Sequence, residues 1–148
     1  VIPDVPIVIN GLARSLMMEI LGEVRTPYAA QTVQLMSGLL MMVAQEFDRA
    51  AARLVEENAA LLDLFRDGGE IVGDGSLREQ LREACAAPAP ALQVGALRER
   101  NRSLRALLVR LHEHVETLGG KRAKELEGRI WDELRASTRR RHLDLAIV

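Results

Sequence analysis

Residues 26–66 read TPYAAQTVQLMSGLLMMVAQEFDRAAARLVEENAALLDLFR, and this stretch decides the fold. Thr26 can accept a hydrogen bond from an orphan amide, and Pro27 suits a first helical position. From there the spacing predicts one helix to about Arg66. Its heptad a and d positions are Val33, Met36, Leu40, Val43, Phe47, Ala50, Leu54, Glu57, Leu61 and Leu64. Nine of these ten are apolar, which predicts coiled-coil-like packing. The first half carries a second apolar stripe, Leu35, Leu39 and Met42, and so reads as buried among several neighbours. In the second half the stripe narrows, as for an outer or two-helix contact.

Outward from this helix the same period recurs. Leu12, Leu16 and Ile20 predict an earlier helix over about Ile7 to Val24. Asp67-Gly68-Gly69 reads as the stop of the long helix. Ser76-Leu77-Arg78-Glu79 fits a capping box opening a short helix to about Ala86. Ala87-Pro88-Ala89-Pro90-Ala91 is a stiff linker. A fourth helix, about Val94 to Leu118, has the heptad Leu97, Asn101, Leu104, Leu108, Leu111, Val115 and Leu118. Gly119-Gly120 breaks the chain, and a fifth helix spans about Lys121 to His142. The fold class that follows is all-α: an up-and-down bundle of about five helices with one long helix, in a single domain over residues 1–148.

Composition agrees. Aromatic residues are 3%, too few for strands built on aromatic and β-branched alternation. One cysteine, Cys85, permits no internal disulfide and suits a reducing cytoplasm. It reads as a small apolar residue near a helix end. Val1 to Pro6 show no basic leader, and no apolar run reaches the roughly 20 residues that span a bilayer; no membrane association is expected. Residues 1–94 carry 7 basic and 13 acidic residues, and residues 95–148 carry 13 and 8, so the halves are −6 and +5. Complementary faces explain this. A basic surface for phosphates, such as a nucleotide or coenzyme A, is the alternative, since 18 of 20 basic residues are Arg.

A helix of 40 residues would be about 60 Å long, whereas a compact domain of this size has a radius of gyration of roughly 15 Å. Three arrangements resolve this: a kink near Gln45 to Asp48, cover of the far half by the fourth and fifth helices, or cover by a second copy. The heptads favour a homodimer. Asn101, Leu104, Leu108 and Leu111 are the candidate interface, with Asn101 either pairing with another Asn to fix register or facing solvent at the helix start.

Candidate ligand-binding residues are Glu46, Arg49, His112 and Glu116. Glu46 continues the second apolar stripe, so burial would raise its pKa and demand a partner such as Arg49 or Arg53. That reads as a structural ion pair or, in an enzyme, as an acid–base group. His112 and His114 point about 200° apart and cannot share an ion, but His112 and Glu116 share a face and could hold one together. No Glu-x-x-His motif precedes any histidine, which speaks against a di-metal bundle centre. Phosphate-loop, dinucleotide, zinc-finger and hydrolase motifs are all missing, so no catalytic residues, metal or cofactor are expected. Lys121, Arg122, Lys124 and Arg129 could face a nucleic acid, but Glu125, Glu127, Asp132 and Glu133 interleave with them and argue against it. Met17, Met18, Met36, Met41 and Met42 read as core or as the lining of an apolar (acyl or acyl-CoA) ligand site.

The segment Tyr28-Ala29-Ala30 through Val43-Ala44-Gln45-Glu46-Phe47 to Ala59-Ala60-Leu61-Leu62, with Leu134-Arg135-Ala136-Ser137-Thr138, resembles a family of small uncharacterised bacterial helical proteins encoded near acyl-CoA dehydrogenases and aminoglycoside-phosphotransferase-like kinases. Against that family, the fourth helix and the Pro-Ala linker stand as an insertion. The resemblance implies a helical accessory protein and hands over no catalytic residue. The expectation is a non-enzymatic, dimerising interaction module that binds a protein partner, such as an acyl-CoA-handling or kinase-like enzyme.

Overall fold

The computed structural model describes residues 3–143; the apolar end of the sequence, Leu143 to Val148, which by its composition should pack on this chain or another, lies from residue 144 on outside the described residues. Five α-helices form: α1 (Val5–Ser15), α2 (Pro27–Ile71), α3 (Gly75–Ala86), α4 (Val94–Thr117) and α5 (Lys121–Arg140). No strand occurs among the described residues, and the all-α bundle expected from the periodicity stands. Where length suggested one domain, the described residues fall into two compact units: 3–50 with 142 and 143, and Ala51–Arg141. Helix α2 contributes to both.

Helix α2 begins as its sequence requires. Thr26 Oγ1 accepts from the Ala29 amide at 3.3 Å, and Pro27 is the first helical residue. Its end differs from expectation. The helix runs through Gly68 and Gly69 to Ile71. Gly68 is there for contact, because a Cβ on it would lie 2.9 Å from Leu111 Cδ1. The α3 cap also moves. Asp74, not Ser76, caps the helix, accepting from the amides of Ser76 (2.8 Å) and Leu77 (3.2 Å), while Glu79 turns to Arg82 instead. Those two amides hold the Asp74 carboxyl below its ordinary range.

In the unit Ala51–Arg141, four helical segments surround one core. Leu61, Leu64 and Phe65 of α2 meet Leu77 and Leu81 of α3, Leu104, Leu108, Leu111 and Val115 of α4, and Ala123, Leu126 and Ile130 of α5. Gly120, at φ 100°, supplies the left-handed turn between α4 and α5. The narrow-striped half of α2 is therefore the deeply buried one.

The other unit is a helical hairpin. Beyond Ser15 the first helix widens to a π turn over Leu16–Ile20 and tightens to a 3₁₀ turn over Leu21–Glu23. The π turn adds a residue to the repeat and rotates Ile20 off the Leu12 stripe. Both residues are exposed. The face that packs is made of small residues: Ala13 and Ser37 are buried, and Ser37 Oγ donates to the Ala13 carbonyl at 2.7 Å.

The two adjacent glycines of α2 provide a test. Gly69 faces open space, so Gly69→Ala should stabilise the fold by up to about 1 kcal/mol through helix propensity. Gly68→Ala must displace the fully buried Leu111, and should cost about 1 kcal/mol net. Urea unfolding midpoints compare them.

Candidate functional site

The two heptads have one polar exception each, Glu57 on α2 and Asn101 on α4, and these two meet. Asn101 Nδ2 donates to Glu57 Oε2 (3.3 Å) and to Asn58 Oδ1 (2.9 Å). One turn on, Arg105 Nη2 reaches Glu57 Oε2 at 3.1 Å, while its Nε donates to Asn101 Oδ1 at 3.0 Å. From α5, Ser137 Oγ donates to Glu57 Oε1 at 3.1 Å and accepts from Arg105. Just past the end of α5, Arg141 grips the carboxylate with both arms, Nε to Oε1 at 3.1 Å and Nη2 to Oε2 at 2.8 Å.

Glu57 is 0% exposed. Burial pushes its carboxyl up, but the hydrogen bonds and charges of Arg141 and Arg105 outweigh burial and bring it from 4.5 to about 2. Both oxygens and the Asn101 amide are saturated, and no open lone pair faces a substrate. The arrangement is a clamp between α2, α4 and α5.

The candidate interface of α4 lies elsewhere than expected. Asn101, Leu104, Leu108 and Leu111 are all buried in the chain's own core, because α2, α3 and α5 supply the knobs assigned to a second copy. Asn101 does pair with an Asn, but with Asn58 of its own chain. Glu46 is half-buried rather than buried, and Arg49 Nη1 donates to the His142 carbonyl at 3.0 Å. His112 and Glu116 do come together, with Nε2 and Oε1 3.6 Å apart. Cys85 is partly buried, and burial pushes its thiol up, as suits a packing residue.

The basic half of the sequence is answered by carboxylates. Arg129 pairs with Asp67, Arg140 with Glu133 and Glu56, and Arg105 and Arg141 with Glu57. Of the run Arg139-Arg140-Arg141, Arg141 thus reaches the buried Glu57, while Arg139 is exposed. Two open clefts, of about 200 and 470 Å³, are lined chiefly by charged side chains such as Asp67, Arg122, Arg129 and Asp132. Neither suits an acyl chain.

The hairpin unit has the opposite character. Thirteen large apolar side chains between Val5 and Phe47 are more than a third exposed, among them Ile7 (70%), Met18 (77%) and Leu35 (64%). Met18, Met36 and Met41 are in this outer set rather than in a core. Among the described residues, the half of α2 expected to be buried among several neighbours has only the first helix beside it in its unit. Val5–Glu23 is 19 residues of mean hydropathy 1.3, long and apolar enough to cross a membrane by length and composition alone.

No family model, curated protein or solved structure matches the chain. Function therefore rests on the geometry.

Replacing Glu57 by Gln strips the charge that Arg105 and Arg141 share, and should cost about 3 kcal/mol in urea unfolding. Because the folded pKa is depressed, the contribution of Glu57 is full above about pH 4.5 and fades as pH falls towards 2. Unfolding curves of the native protein should lose stability across that window, and those of Glu57→Gln should lose correspondingly less.

Proposed function

We propose that this chain is a non-enzymatic interaction module that self-associates through the hairpin of residues 5–50. The observation that carries this reading is the outer apolar surface of the hairpin. Its thirteen exposed side chains together leave on the order of 1,000 Å² of apolar area in water, and exposed apolar surface of that extent marks an interaction site. That is also the scale of about 800 Å² that each partner contributes to a stable interface.

A second copy suits this surface better than a bilayer does. Arg14 sits at the midpoint of Val5–Glu23, and a charge at the bilayer centre costs about 2.5–3.5 kcal/mol. Glu19 adds another charge, hydrogen-bonded to Ser15 Oγ at 3.2 Å. In a protein interface such groups can lie at the rim, in water. Two hairpins laid apolar face to apolar face make four helices, the smallest arrangement that covers the near half of α2 as its sequence demands. The homodimer expected from the heptads is thus retained, on a different surface.

Sedimentation velocity at micromolar concentration should give a dimer mass. The double variant Leu35→Glu/Leu39→Glu, at two exposed positions, should give a monomer with unchanged helix content by circular dichroism. A monomeric native protein that instead floats with phosphatidylcholine vesicles would replace this reading with a membrane one, and a monomer that ignores vesicles would end both.

A further inference from the structure

One cluster of metal-ligating side chains lies outside the clamp and the hairpin. His112 and Glu116 sit one turn apart on α4, and across the Gly119-Gly120 turn α5 brings Glu127 beside them. One ligand atom from each of the three lies within 4.8 Å of the others. We propose that His112, Glu116 and Glu127 form a site for one divalent transition cation, zinc foremost, between α4 and α5. The inference goes beyond the self-association reading and does not rest on it.

Three observations point the same way. First, His112 Nε2 is buried and has no hydrogen-bond partner. A buried ring nitrogen without a partner costs free energy unless something is bound to it. Second, its 3.6 Å separation from Glu116 Oε1 is long for a hydrogen bond. It is close to the roughly 3.3–3.5 Å that separates two ligands of a tetrahedral zinc with bonds of about 2.0–2.2 Å. Third, among the described residues neither Glu116 nor Glu127 has a Lys or Arg ion-pair partner. Two carboxylates brought together without such a partner repel, and a dication removes that repulsion.

The surroundings fit a held ligand. His112 is largely buried, and Trp131 packs against it in a T-shaped contact, ring centroids 5.3 Å apart at 84°. That contact restricts the imidazole before an ion arrives. Glu116 and Glu127 keep some exposure, and rotation of their side chains suffices to close the remaining distance. One imidazole and two carboxylates leave a fourth position for water. Nitrogen and oxygen donors of this kind favour zinc and its neighbours over calcium or magnesium, which take oxygen.

Trp131 is the sole tryptophan, so the site has a built-in reporter. Chelator-treated full-length protein should bind one zinc ion per chain in equilibrium dialysis, and cobalt, replacing zinc, should quench Trp131 fluorescence and give a visible absorption band. Zinc should also raise the unfolding temperature in a concentration-dependent way. Affinity should fall at least about tenfold in His112→Gln and in Glu127→Gln, and stay unchanged in Glu125→Gln, whose carboxylate lies outside the cluster and pairs with Lys121 at 3.7 Å. If His112→Gln fails to fold, Glu127→Gln at its half-exposed position decides the matter. Absence of stoichiometric binding by the native protein, or binding that both ligand variants retain, overturns the site. The dimer mass is a separate readout, so the two readings fail independently.

Discussion

A single buried carboxylate organises the larger unit. Glu57 lies where a heptad calls for an aliphatic side chain, and removing a charge from water is costly unless it is paired and hydrogen-bonded. Every consequence follows from meeting that demand. Asn101 and Arg105 must stand one turn apart on α4, Ser137 must face inward from α5, and the chain must continue past α5 far enough for Arg141 to return. The apolar core beneath, from Leu61 to Ile130, supplies most of the stabilisation and would tolerate other arrangements. The clamp tolerates few, because its donors reach Glu57 from α4, from α5 and from the residue just past α5, and so it fixes the register of α2, α4 and α5 against one another. Specification of register is the best-attested use of buried polar groups in helical packing.

Helix α2 shows how far local apolarity and burial can part company. Its near half, apolar on several sides, has one helical neighbour among the described residues of its own unit. Its far half, with a narrower stripe and Glu57 and Asn58 in it, is enclosed by three helices. Burial depends on how many neighbours the chain places beside a segment, and polar groups can be enclosed when their hydrogen bonds are met. A near half rich in Leu, Met and Val and left uncovered is incomplete as a hydrophobic structure, which is why self-association is the reading that accounts for it.

Much of the fold was legible because it rests on period and punctuation. The 3.6-residue repeat located four of the five helices and a capping motif the short α3, and Thr26-Pro27, the Pro-Ala linker and Gly119-Gly120 marked three boundaries. The failures have specific causes. Gly68 reads as a stop, but a glycine can equally admit a neighbour, and only the approach of Leu111 tells the two apart. Asp74 and Ser76 are both competent caps, and backbone geometry chose the first. Of the candidate sites, the His112–Glu116 pair was visible as spacing on one helix, whereas Glu127 required knowing how α4 and α5 face each other. The clamp had a signal that could have been read: the only polar residues in two otherwise apolar heptads had reason to satisfy each other.

In the proposed dimer residues 51–141 complete themselves while the hairpin is completed by a second copy. Hydrogen exchange followed by mass spectrometry, at protein concentrations below and above the dimer transition, tests it most directly. Amides of residues 5–50 should gain protection as concentration rises, while those of 51–141 should exchange at the same rates throughout. Protection that is independent of concentration in the hairpin, or that rises equally in both units, would contradict it.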